Sequence, residues 1–326
     1  MMQANGPVFV VGVNGSGTTM LADAMGKHPD LYMFPRETRV LPYLAQQFPD
    51  DALASLTHRR ALAVELARSK GFYRSNGDRL LDLEAVDLTA CHGFSGTVGS
   101  LYTYFARKEG KTRWGDKTPM YLQHISLLAE RFPDARFIHI YRDGRDAAQS
   151  FHRRWRQEPR RTIWRWKKAI ELGRAQGKAL GCERYFEVSY EALTGDPESW
   201  MRQVCEFADL AYTPAVLQSS MRYMEDAARV NAGGRMIQNS EKWRRYFDAA
   251  QIEGLERIAG RALSELGYPV NIAGDADLTA LQRRGWKWKD WANFSVHHLM
   301  SYGLVGLKPF ILRARDALHQ DKVNKF

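Results

Sequence analysis

The chain has 326 residues, 44% hydrophobic and 26% charged, with a formal net charge of +10. That length suits one large domain or a domain with an embellishment, and that balance excludes both a disordered and a largely membrane-spanning chain. The positive charge favours polyanionic partners in general, such as a nucleotide, an anionic membrane or an acidic substrate, without choosing among them.

The first apolar run, Pro7 to Val13, has no basic leader before it, and the three cysteines Cys91, Cys182 and Cys205 lie far apart. Neither a disulfide framework nor a zinc site is indicated, so the expectation is a cytoplasmic protein in a reducing compartment. Within that run, Val8-Phe-Val-Val11 reads as a strand, followed by Gly12, Gly15 and Gly17 and by a helix from Met20 to Met25. A loop that wraps an anion needs positive φ and close backbone approach, and the first N–H groups of the next helix then point at the ligand. Gly12 and Gly17 fall in register with the P-loop pattern, but the lysine position holds Thr18. The loop therefore predicts a phosphate-like ligand without the usual triphosphate apparatus.

Leu31-Tyr-Met-Phe34 is a short second strand, and Pro35 to Arg39 follow it directly, where an open parallel sheet has its binding crevice. A helix is predicted from Val40, another over Asp51 to Lys70, a loop over Gly71 to Asp87, and a helix over Gly99 to Lys108. Arg113 to Pro119 reads as a loop carrying Lys117 to the mouth of a helix that continues over Met120 to Arg131. Ala135 to Tyr141 is the clearest internal strand; it ends in Arg142-Asp-Gly-Arg-Asp146 and feeds a helix bearing Ser150. Arg142 and Arg145 read either as a second anion-binding tip or as a solvated, salt-bridged turn.

Trp155 to Leu180 is helical, Tyr185 to Tyr190 is a fourth strand, and Asp196-Pro197 opens a helix as N-cap and first residue. Helices then dominate to Gly267, interrupted by a loop over Asn231 to Ser240. The fold class is α/β, a P-loop-like parallel sheet flanked by helices, over residues 1–270. A helical C-terminal extension, basic and rich in tryptophan, follows over residues 271–326. Of the histidines, His139 inside a strand reads as a core residue, His28 as part of a helix-ending turn, and His152 as a weak candidate base. His297-His298 lack a carboxylate or cysteine cluster, so no metal is expected.

With these residues in place, the chain resembles the sulfotransferases that use 3′-phosphoadenosine 5′-phosphosulfate as donor. In that family a strand–loop–helix binds the 5′-phosphosulfate, which the resemblance assigns to Gly15, Ser16, Gly17, Thr18 and Thr19. An arginine and a serine on the following helix bind the 3′-phosphate, here Arg142 and Ser150. Within the superfamily the motifs are most similar to those of the tyrosylprotein sulfotransferases and their bacterial relatives. Glu37-Thr-Arg-Val-Leu-Pro42 resembles the segment with the catalytic glutamate, Asp116-Lys-Thr-Pro119 the loop with a catalytic lysine, and Ser189-Tyr-Glu-Ala-Leu193 a further shared stretch. The resemblance implies Glu37 as general base with its pKa raised by burial, and Lys117 and Ser240 as catalytic. It adds Tyr190 on the cofactor and Arg39 on the substrate. One departure stands out: the basic residue expected before Ser16 is Gly15, which leaves three readings open: Arg36 or Lys117 takes over its charge, transfer is slower, or the site is degenerate.

The function so implied is sulfuryl transfer to an acceptor hydroxyl on a peptide tyrosine, saccharide, lipid or small molecule, with no metal. Two alternatives remain: a P-loop kinase-like phosphotransferase, and a non-catalytic basic protein of membrane surfaces or nucleic acid. The family motifs leave Thr279 to Phe326 unexplained. That stretch carries nine Lys/Arg against three Asp, with Trp286, Trp288 and Trp291 among the lysines and an apolar run over Leu299 to Leu312. The run is too short to span a bilayer. The tail reads either as a peripheral contact with an anionic membrane or as a helical lid on the domain.

Overall fold

A computed structural model of the chain describes residues 6–217 and 239–290. It divides into two compact units, Met1–Arg142 with Ala169–Asn239, and Asp143–Lys168 with Ser240–Phe326. The loop expected over Asn231 to Ser240, save its last two residues, and the tail from Trp291 onward, with His297, His298 and Leu299 to Leu312, lie outside the described residues.

The first unit is built on a five-stranded parallel sheet. Its strands are β1 (Val8–Val11), β2 (Leu31–Met33), β3 (Arg113–Lys117), β4 (Arg136–Tyr141) and β5 (Tyr185–Ser189), in spatial order β2-β3-β1-β4-β5. Chain order reverses around β1, the arrangement that opens a crevice at the carboxyl ends of the strands. The continuous apolar run of β1 follows from its central place, because a strand covered on both faces alternates between two cores. Phe9 and Val11 belong to one core, where Phe9 stacks on Phe137 with ring centroids 5.3 Å apart; Val8 and Val10 belong to the other, with Ile138, Ile140 and Val188. Each such side chain contributes about 1.5–3 kcal/mol on full burial.

Up to Arg142 the helices of this unit are α1 (Thr18–Met25), α2 (Leu41–Gln47), α3 (Leu56–Arg68), α4 (Lys70–Ser75), α5 (Gly93–Lys108) and α6 (Ile125–Arg131). α5 starts before the predicted Gly99, because Phe94, Thr97, Val98, Leu101, Tyr102 and Phe105 form a buried stripe that outweighs the poor helix propensity of Gly93 and Gly96. α4 runs from Lys70 into the loop expected over Gly71 to Asp87. The stretch after Thr118 is a 3-10 turn, Pro119–His124, before α6.

β3 is a correction to the loop expected over Arg113 to Pro119. The polar run Arg113-Trp-Gly-Asp-Lys117 pairs with β1 on one side and β2 on the other and is buried throughout. Its polarity hid a strand whose carboxylate is satisfied by hydroxyls rather than water.

Past β4 come α7 (Gly144–Trp155) and α8 (Pro159–Lys178), and past β5 come α9 (Tyr190–Gly195) and α10 (Pro197–Phe207). α10 is capped as its sequence predicts, with the Asp196 side chain accepting the Ser199 N–H at 3.2 Å and Pro197 in the first turn.

In the second unit α7 meets α11 (Trp243–Tyr246) and α12 (Ala249–Glu265). Arg145 is here only 1% exposed, not a solvated turn residue. Its guanidinium donates to Asp143 and to Glu256 (2.7 Å) and stacks 3.8 Å from the Trp243 ring centroid. Glu256 also accepts the Asn271 and Ile272 N–H groups, so the buried charges are fully engaged. α12 opens on a capping box between Asp248 and Gln251.

Candidate active site

The glycine loop follows directly from β1. A Cβ on Gly12 would stand 2.3 Å from the Ile140 carbonyl oxygen, so the turn off the strand demands glycine. Gly17 sits at φ +95°, where a side chain would be strained and would press on the Tyr190 ring at 2.7 Å. The turn closes through Ser16 N–H donating to the Val13 carbonyl at 3.0 Å, and Thr18 and Thr19 open α1. Ser16 is fully buried, yet its Oγ meets no hydrogen-bond partner among the described residues. A buried hydroxyl left without a partner at a helix mouth is costly unless a ligand supplies one.

Beside this loop, Lys117 closes β3, in register with Val10 of β1. Its Nζ donates to Glu37 Oε1 at 3.0 Å, and Arg39 Nε donates to Glu37 Oε2 at 2.8 Å. Arg39 holds φ +60°, uncommon for a residue other than glycine, and its side chain is exposed. Burial works against the Glu37 carboxylate, but Lys117 and then Arg39 outweigh it and hold its pKa below the ordinary value. This corrects the expectation of a Glu37 pKa raised by burial: the burial is present, and two cations overrule it.

What fixes Glu37 and Lys117 against one another is a group that sequence reasoning passed over. The Asp116 carboxylate, fully buried, accepts hydrogen bonds from Thr38 Oγ1 (2.9 Å), Tyr102 Oη (2.7 Å) and Thr118 Oγ1 (2.7 Å). Thr38 Oγ1 also meets Tyr121 Oη at 2.7 Å, and the Thr38 N–H donates to Thr118 Oγ1 at 3.2 Å. Burial raises the Asp116 pKa, and the donated bonds and Lys117 work against that rise. Thr38 follows Glu37 and Asp116 precedes Lys117, so one buried carboxylate clamps the two segments. The signal was in plain view, a carboxylate next to the lysine and a hydroxyl next to the glutamate.

Arg142 follows β4 and is 9% exposed. Its Nη1 donates to the Gly15 carbonyl at 3.4 Å, its Nη2 to the Asn239 carbonyl, and its guanidinium lies 4.5 Å from the Tyr190 ring centroid. Arg142 thus brings a cation onto the loop residue that lacks one. Gly15 itself sits at φ +90°, a conformation that disfavours a basic side chain there. Arg36 is exposed on the loop before Glu37.

The loop residues, Glu37, Arg39, Lys117, Arg142 and Tyr190 all belong to the first unit, each just beyond or at the end of a strand. Ser150 and Ser240 belong to the second. Ser150 is half-buried on α7, and Ser240 precedes a segment pinned by Asp146, which accepts the Glu241 N–H at 2.8 Å and the Trp243 N–H at 3.1 Å.

The histidines have structural partners. His139 Nδ1 meets Tyr185 Oη at 2.7 Å in the core, and burial lowers its pKa. His28 Nε2 donates to the Ala211 carbonyl, and His152 Nδ1 to that of Gln157, each at 2.7 Å.

Residues 7–214 match the model of the sulfotransferase family. The chain is 29% identical over 217 residues to a protein-tyrosine sulfotransferase of Drosophila melanogaster, covering 64% of this chain and 39% of that protein. It is 27% identical over 217 residues to protein-tyrosine sulfotransferase 1 of Danio rerio, covering 64% and 55%. The chain therefore spans about half the length of the curated relatives it matches. Among solved structures, the sulfotransferase domain of the Synechococcus PCC 7002 olefin synthase superposes with a TM-score of 0.52 at 20% identity, over 82% of this chain and 98% of that one. It shares the fold.

Proposed function

Because this chain belongs to the sulfotransferase family, we propose that it transfers a sulfuryl group from 3′-phosphoadenosine 5′-phosphosulfate to an acceptor hydroxyl. The observation that carries the reading is the buried, unpartnered Ser16 Oγ in a loop that Arg142 reaches from β4, on the sheet whose β3 ends in Lys117. The residues fit such a donor: Ser16 to Thr19 offer hydroxyls and backbone N–H groups to its 5′ end, and Arg142 brings a guanidinium charge to a phosphate. Tyr190 adds a ring under that guanidinium. The donor, when bound, supplies the sulfuryl group and a nucleotide leaving group.

Everything else falls to the chain. Glu37 accepts the proton of the acceptor hydroxyl, and Lys117 supplies positive charge beside it; positioning and electrostatics dominate such transfers. Ser150 and Ser240 are assigned by motif, to the 3′-phosphate and to the leaving group, and Arg39 to the acceptor. Peptide tyrosine is the first acceptor to try, since the relatives above carry that name; saccharide, lipid and small-molecule hydroxyls stay within the proposal. A cytoplasmic location is part of the same reading and rests on three free cysteines.

Calorimetry with adenosine 3′,5′-bisphosphate, adenosine 5′-phosphate and magnesium-ATP, followed by transfer of labelled sulfate into candidate acceptors, tests the proposal. It expects preference for the bisphosphate and label in an acceptor hydroxyl. Preference for magnesium-ATP, or equal binding of all three, overturns it in favour of the kinase-like alternative or a non-catalytic protein.

A further inference from the structure

Residues 280–290 form a helical segment that the transfer chemistry does not use. It begins with a reciprocal cap: Thr279 Oγ1 accepts the Gln282 N–H at 3.2 Å, and Gln282 Oε1 accepts the Thr279 N–H at 3.0 Å. Its inner side is spaced at i, i+3 and i+7. Arg283 lies over the Trp164 ring at 5.4 Å, Trp286 is half-buried, and Asp290 is buried. Asp290 is the anchor, accepting the Glu158 N–H and an Arg161 bond, each at 2.6 Å, while Lys289 pairs with Glu158 at 3.1 Å.

Anchoring that side turns Leu281, Arg284, Gly285 and Trp288 outward, at helical spacing. Leu281 is 82% and Trp288 70% exposed, the two most exposed large apolar side chains among the described residues. Arg284 stands between them, Lys287 and Lys289 flank them, all exposed, and the segment's one carboxylate, Asp290, is turned inward. A helix that exposes Leu281 and Trp288 beside Arg284 and Lys287, with its acid buried, is matched to a surface with anionic heads over a hydrocarbon interior.

We propose that the helical segment 280–290 seats this protein on an anionic membrane surface, with Leu281 and Trp288 entering the interface and Arg284 and Lys287 on lipid headgroups. The second unit carries this segment, so the proposal is independent of the chemistry assigned to the first.

The test is co-sedimentation of the full chain with vesicles of phosphatidylcholine, with and without phosphatidylserine. Wild type is expected to pellet only with the anionic vesicles, and less at high salt. Leu281→Ser/Trp288→Ser and Arg284→Glu/Lys287→Glu should each weaken binding by about tenfold or more. All four positions are exposed, and melting temperatures measured on each variant separate lost binding from misfolding. The proposal is overturned if wild type pellets with neither vesicle, or if either double variant binds as wild type does, since charge alone or residues beyond 290 would then be responsible. A concentration-dependent dimer abolished by Leu281→Ser/Trp288→Ser, without vesicle binding, would make a second copy the occupant instead.

Discussion

Glu37 and Lys117 come from segments eighty residues apart in the chain, and Glu37 Oε1 receives the Lys117 ammonium at 3.0 Å. The base and the cation assigned to sulfuryl transfer thus neutralise each other in the free protein. The carboxylate is ready to accept a proton over a wide pH range, but it is a weaker base for being paired.

Glu37→Gln should leave adenosine 3′,5′-bisphosphate affinity near wild type and lower turnover by about 10²–10⁴-fold, the span of general acid–base catalysis. Near-normal turnover, measured by label transfer, would move the base elsewhere.

Lys117→Ala should shift the acid limb of the kcat/KM profile upward. Burial pushes the Glu37 pKa up while Lys117 and Arg39 pull it down to a net value below 4.5. Removing Lys117 leaves burial opposed by Arg39 alone, so the carboxylate protonates at higher pH and the limb moves with it. An unshifted limb, or one moved to lower pH, would count against the pairing.

Arg142→Ala should remove most of the preference for adenosine 3′,5′-bisphosphate over adenosine 5′-phosphate. One charge-assisted contact is worth roughly ten- to a hundredfold in affinity. Retention of the preference in calorimetry would place the 3′-phosphate on other residues.

Asp116→Asn should cost about 1–3 kcal/mol in stability, because an amide cannot accept all three hydroxyl bonds inside a site closed to water. Turnover should fall with it while donor affinity stays, since Thr38 and Thr118 would no longer hold Glu37 against Lys117 in one arrangement. Denaturant melts beside steady-state kinetics decide; an Asp116→Asn variant with wild-type stability would show that the clamp is not holding.

Acid should weaken the sheet at β5. Burial opposes the Glu187 charge, but the nearby His139 ring (Nδ1 3.8 Å from Oε1) and the hydrogen bonds from Arg174 and Tyr185 prevail and hold its pKa at about 2, against an ordinary 4.5. A depressed folded-state pKa gives stability that is complete above about pH 4.5 and lost as pH falls toward about 2. Melting temperature across that window should therefore drop less steeply in Glu187→Gln than in wild type; parallel slopes would contradict the assignment.

Local pattern alone determined a good deal of this protein. β1, its glycine loop, the strand before Arg142 and the Asp196-Pro197 helix start were legible because each rests on near-neighbour physics: apolar runs, positive φ, capping and the fixed φ of proline. The family was legible too, by the resemblance of the motifs around Glu37, Lys117 and Arg142 to those of the sulfotransferases. Only the tertiary structure decided the rest. Arg113 to Lys117 is a strand because β1 and β2 flank it and because Thr38 and Tyr102, from other segments, join the neighbouring Thr118 in satisfying Asp116. Arg145 is a buried structural cation rather than a solvated turn because Glu256, from α12, closes on it. The Glu37 pKa moves down rather than up because two cations meet it where burial alone would have raised it. In each case at least one deciding partner, Thr38, Glu256 or Lys117, lies far away in the chain. Composition and periodicity report what a segment can bury, but not which distant group will neutralise its charge or complete its hydrogen bonds.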